Sequence, residues 1–107
     1  MYTKRNSIPH DEERPVYTIS IAAELIGCHP RTLRIYEEEG FVEPHRQGQR
    51  RIYSQIDIQR IKKIVELLNE RHMNLSGVRA LFEVADHFHL EVEQMIDELL
   101  ADMEKEI

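Results

Sequence analysis

Cysteine occurs once in this chain, tryptophan not at all, and glycine and proline four times each in 107 residues. A single thiol, Cys28, cannot close an internal disulfide, and its placement points to a reducing compartment. Cys28 and His29 lack the further ligands of a zinc site, and His87 and His89, two apart, fall on different sides of a helix, so no metal is expected. Long apolar runs are missing too. No stretch approaches the roughly 20 residues that cross a bilayer, and "MYTKRNSIPHDEERP" contains no apolar signal segment, so the chain reads as cytoplasmic. There is no nucleophile elbow, phosphate-cradling glycine loop or metalloprotease signature. With 41% apolar residues committed to a small core, little room is left for a closed pocket. Neither catalysis nor a cofactor is expected.

Positive charge is scarce overall: 14 basic residues face 20 acidic ones, for a formal net charge of −6. Its distribution matters more than its sum, because an anionic partner meets one face at a time. Residues 44–63, "PHRQGQRRIYSQIDIQRIKK", place Arg46, Arg50, Arg51, Arg60, Lys62 and Lys63 against Asp57 alone. Residues 76–107 hold Arg79 and Lys105 against nine acids. The two stretches cannot serve one surface, and the acidic end reads as a separate solvated element.

Residues 1–16 are polar and aperiodic and read as a flexible arm. From 17 onward the pattern is helical. Ser20 is a candidate N-cap, Ile21, Ala22, Leu25 and Ile26 form an apolar face, and Gly27 stops the helix. After a turn at Cys28 and His29, Pro30 opens and Gly40 closes a second helix over about 30–39. Two short helices joined this tightly make a helix-turn-helix. "FVEPHRQGQRRIY" then reads as a β-hairpin centred on Gly48 with arginines on both arms. Ser54 and Asp57 form a capping box for a third helix over about 55–71, whose stripe is Ile58, Ile61, Ile64, Val65 and Leu68. Ser76 is a candidate cap for a fourth, carrying Val78, Leu81 and Phe82.

The second helix holds the chemistry. In "HPRTLRIYEEEG", Arg31 and Arg34 are three apart and share a face, with Tyr36 expected beside them. These arginines could be solvated, or paired with Glu37 and Glu38. The preceding capped helix, the turn and the following hairpin favour duplex DNA instead, since a guanidinium forks onto a guanine edge or a phosphate. Arg46, Arg50 and Arg51 would then grip phosphates. For Tyr53, core packing and a DNA contact both remain open. Lys62 and Lys63 read as solvated, and Cys28 as a thiol switch has little support.

In the acidic end, Phe88, Val92, Met95 or Ile96, Leu99, Met103 and Ile107 recur at spacings of three and four. That stripe is too short and too acidic to stand alone. With the third and fourth helices needed for the core, a second copy of the chain is the expected partner, through Val92, Ile96, Leu99 and Met103.

The segments "YTISIAAELIG", "PRTLRIYEEEGFVEP" and "RRIYSQIDIQRIKKI" resemble the MerR family of winged-helix regulators. "MNLSGVRALFEV" is most similar to its heat-shock repressor branch, with the glutamine-metabolism repressor branch second. The resemblance implies a mainly α fold: a winged helix-turn-helix domain over 17–85 with a small β-hairpin wing, and a C-terminal dimerisation helix over 86–107. It implies a homodimer on an inverted-repeat operator in double-stranded DNA. Arg31, Thr32, Arg34 and Tyr36 would lie on or near the reading surface, Arg46, Arg50 and Arg51 in the wing, and Tyr53 at its base. It also implies a DnaK-type chaperone as co-repressor. Many family members carry an aromatic where this chain has Ile35. An excisionase-like architectural DNA binder, which would be monomeric, is the rival reading.

Overall fold

The computed structural model describes residues 11–105, and side chains as far as residue 102. The arm expected at 1–16 therefore lies mostly outside the described residues, although Asp11–Glu13 form a single 3-10 turn. Regular structure follows as strand β1 (Tyr17–Thr18), helices α1 (Ile19–Ile26) and α2 (Pro30–Glu38), strands β2 (His45–Gln47) and β3 (Arg50–Tyr53), and helices α3 (Gln55–Asn69), α4 (Leu75–His87) and α5 (Val92–Lys105). The chain divides into two compact units, Met1–Ile61 and Lys62–Ile107.

In the first unit β3 is the central strand of a three-stranded antiparallel sheet, flanked by β1 and β2. The strand β1 was not legible in the sequence. It pairs Tyr17 with Tyr53 and Thr18 with Ile52, and two residues carry too little alternation to signal a strand. Because the chain leaves β1 at Thr18, that residue caps α1: its hydroxyl accepts from the Ile21 N–H at 3.4 Å. Ser20, the expected cap, already lies inside the helix. Gly27 ends α1 as expected, at φ 89°, with its N–H donating to the Ala23 carbonyl. A side chain would be strained in that left-handed conformation.

The face of α1 differs from expectation. Ala22 and Ala23 are buried, whereas Ile21 and Leu25 are 45% and 49% exposed. Small alanines let neighbouring elements approach closely, and the two larger residues, one turn apart, form a ridge on the solvent side. Leu33, Tyr36, Phe41, Val42, Ile52, Tyr53, Ile58 and Ile61 complete the core of this unit. The Tyr36 and Phe41 rings tilt against each other at 6.0 Å. The capping box closes as read: the Ser54 N–H donates to Asp57 Oδ2 at 2.9 Å, and the Asp57 N–H to Ser54 Oγ at 3.1 Å.

In the second unit Asn74, not Ser76, caps α4, its Oδ1 accepting from the Gly77 N–H at 2.8 Å. Ile64, Leu67, Val78, Ala85 and Ile96 are fully or nearly fully buried. At the acidic end, Ile96 of the expected dimer stripe is covered within its own chain. Helix α5 packs on α4 of the same chain, Lys63 Nζ meets Asp97 Oδ1 at 2.8 Å, and Ile96 is 0% exposed without a second copy. Val92 and Leu99 are half-buried, and the side chain of Met103 lies outside the described residues. Within this unit Ile96 is buried where α5 packs on α4. The division into units falls within α3, between Ile61 and Lys62.

Candidate nucleic-acid interface

Helix α2 is opened by His29, whose Nδ1 accepts the Arg31 N–H at 3.0 Å, and by Pro30 in the first turn. At about 100° per residue, Arg31, Arg34, Ile35 and Glu38 fall on one side of the helix, and all four are exposed. Leu33 and Tyr36 are buried. Tyr36 is thus not beside the arginines as expected: two residues beyond Arg34 is about 200° around the helix, and its ring is only 7% exposed. Thr32 is half-buried at the edge of the exposed face. Among the described residues, neither Arg31 nor Arg34 forms a salt bridge with a carboxylate, although Glu38 stands one turn from Arg34.

The hairpin turns at Gly48 and Gln49, with Gly48 at φ 65° and Gln47 opposite Arg50. Glycine at the first position of a two-residue turn matches the type II′ pattern, which suits the twist of the flanking strands. Arg46 lies directly opposite Arg51, so the two share a sheet face with Tyr53, and Arg50 belongs to the other face. Like charges directly opposite repel. Glu37 of α2 resolves this: its Oε2 accepts from Arg46 Nη2 at 2.8 Å, and its Oε1 accepts from Arg51 Nε. Arg46 Nη1 also donates to the Gln49 carbonyl at 3.3 Å. Helical spacing alone offers Glu37 only as a possible partner of the helix arginines. The missed signal was two arginines placed cross-strand in a short hairpin, which demands a nearby acid.

Burial pushes the Glu37 carboxyl up, but the hydrogen bonds from Arg51 and Arg46 outweigh it and hold the group below its ordinary 4.5. A depressed folded value means the clasp contributes stability above the unfolded value and loses it as pH falls through the folded one. The α2–wing attachment is therefore expected to be intact at neutral pH and to open only below 4.5. An NMR titration of the Glu37 carboxyl carbon checks this, and a midpoint at or above 4.5 contradicts it.

Tyr53 settles on the core side: it is 0% exposed. Burial first, then the Glu37 charge, push its phenol up to about 12, so it stays protonated. Its hydroxyl has no hydrogen-bond partner among the described residues, and an unpaired buried hydroxyl costs about 1–3 kcal/mol. Tyr53→Phe is accordingly expected to leave the midpoint of thermal unfolding unchanged or raise it by a few degrees. A loss of several degrees would mean the hydroxyl is satisfied after all.

A cleft of about 350 Å³ opens between the start of α1, helix α2 and the hairpin, lined by Thr18, Ser20, Arg34, Gln49, Arg50 and Arg51. No carboxylate lines it. A second hollow of about 450 Å³ has a mixed lining, with Glu13, Glu43 and Asp57 beside His45 and Arg46. Burial raises the Cys28 thiol above its ordinary 9.0, so it stays protonated at neutral pH and is a poor redox switch. Among the described residues no group of three or more histidine, cysteine or acidic side chains is arranged to hold a metal ion, and no helix is long and apolar enough to cross a membrane.

An exposed basic helix face, a turn, a preceding helix and an arginine-bearing hairpin beside them define a winged helix-turn-helix. Residues 17–84 match the MerR HTH family of regulatory proteins, and the chain belongs to that family. It is 40% identical over 82 residues to the heat shock protein HspR of Streptomyces coelicolor, covering 76% of this chain and 54% of that one. It is 33% identical over 66 residues to the HTH-type transcriptional regulator GlnR of Bacillus anthracis, covering 61% of this chain and 50% of that one. The chain thus spans about half the length of these relatives. In fold it is similar to the transcription regulator PbrR691 of Ralstonia metallidurans, solved in complex with lead(II). The TM-score is 0.58 at 24% identity, covering 85% of this chain and 74% of that one.

Proposed function

We propose that this MerR-family regulator is a sequence-specific repressor of heat-shock and chaperone genes, binding an inverted-repeat operator as a homodimer. The observation that carries the DNA-binding part is the exposed face of α2, where Arg31 and Arg34 form no salt bridge among the described residues, beside a cleft that Arg34, Arg50 and Arg51 line without an acid. Helix α2 enters the major groove, Arg31, Thr32 and Arg34 meet base edges or phosphates, and Arg46, Arg50 and Arg51 face the backbone. Tyr36 and Tyr53 support this surface from inside.

The heat-shock assignment rests on the likeness to HspR, and the same likeness implies a DnaK-type chaperone as co-repressor. With Ile96 committed to its own chain, Val84, Phe88 and Leu90, which are 43%, 62% and 51% exposed, support pairing with a second copy. Likeness to GlnR favours a second reading, repression of nitrogen-metabolism genes. Selection of bound duplexes from a random pool tests the first part: an enriched inverted repeat is expected, and no enrichment contradicts it. Transcripts from a strain lacking the protein decide the second, with chaperone messages rising under the main reading and nitrogen-assimilation messages under the other.

A further inference from the structure

We propose that Glu37 is a positioning residue for duplex recognition, fixing the hairpin against the reading helix so that the two meet DNA as one rigid body. The proposal rests on the DNA-binding reading above and adds to it a residue that touches neither base nor phosphate. One carboxylate spans three elements: it sits on α2 and accepts from Arg46 on β2 at 2.8 Å and from Arg51 on β3. Its side chain is 23% exposed, and that of Arg51 24%, so both are sheltered enough for the geometry to hold against water.

The donors left over matter as much as those engaged. Arg51 is held through Nε, which among the described residues leaves both of its terminal nitrogens for another acceptor, and it lines the same cleft as Arg34 and Arg50. Glu37 therefore aims the cationic face without consuming it. Arg34 lies three residues before Glu37 on the same helix, so any slip of the hairpin relative to Glu37 changes the spacing between the reading arginine and the wing. Recognition sites lose affinity when such supports loosen by about an ångström.

Charge alone predicts the opposite sign. A carboxylate near phosphates opposes every duplex, so removing it should tighten specific and non-specific binding together. If Glu37 positions the wing, Glu37→Gln instead weakens binding to a duplex selected by the wild-type protein by roughly tenfold, a moderate loss for one recognition contact. Binding to an arbitrary mixed-sequence duplex stays the same or tightens slightly. Glu37→Asp keeps the charge but shortens the reach, and it should lose specific affinity as well. Both are read by fluorescence anisotropy at fixed salt on both duplexes. Retained mixed-sequence binding shows that each variant is folded, and if the glutamine variant does not fold, the aspartate variant decides alone. An unchanged ratio of specific to non-specific affinity, or tightening on both duplexes, overturns the proposal. A wild-type protein that binds neither duplex would instead bring down the DNA-binding reading on which it rests.

Discussion

Replacing Arg34 with alanine is expected to weaken binding to the selected duplex by about 1–3 kcal/mol, the range for one well-placed guanidinium contact. The reasons are geometric. Arg34 stands on the exposed face of α2, forms no salt bridge among the described residues, and lines the acid-free cleft with Arg50 and Arg51. Its side chain is exposed, so stability should move by less than about 0.5 kcal/mol, as for an ordinary surface substitution. A mobility-shift titration at fixed salt reads the first effect and thermal unfolding the second. Unchanged affinity would remove Arg34 from the site, and a large loss of stability would mean its role is structural.

The second large effect is expected at Ile96. Truncation to alanine should cost about 2–5 kcal/mol of unfolding free energy, the usual range for deleting a fully buried aliphatic side chain and leaving a cavity. The side chain is 0% exposed within one copy of the chain, so the loss should be the same at low and high protein concentration. Were Ile96 instead part of a seam between copies, the shift in unfolding temperature would shrink as concentration rises, because mass action would favour the assembled form. Thermal melts of wild type and Ile96→Ala across a wide concentration range separate the two.

These two positions also mark where the sequence was readable and where it was not. The helix-turn-helix was legible because strong local signals agree: Pro30 at a helix start, Gly27 and Gly48 at positive φ, and a reciprocal Ser54–Asp57 cap. The reading face was legible as far as Arg31 and Arg34, which follow from helical spacing. Tyr36 was misplaced by judging neighbours along the chain instead of around the helix. Strand β1 escaped because two residues carry no period, and its loss carried the cap of α1 with it, from Thr18 to Ser20. Glu37 escaped because its partners are 9 and 14 residues away in the chain, joined only by the register of the hairpin. In α5 the stripe holds at Val92, Met95, Ile96 and Leu99, which are buried or half-buried, whereas Phe88 is 62% exposed; which surface covers the stripe is a tertiary matter. An amphipathic helix looks the same in sequence whether its partner is its own chain or another.

Under the proposed function two copies of α2 read major grooves while their wings hold the backbone. Protection of guanine N7 from dimethyl sulfate, on a duplex selected by the wild-type protein, tests it most directly. Two groups of protected guanines are expected, separated by roughly one helical turn or a whole multiple of it, with both groups lost in Arg34→Ala. A single protected group, or retention of binding with no major-groove protection, would contradict it.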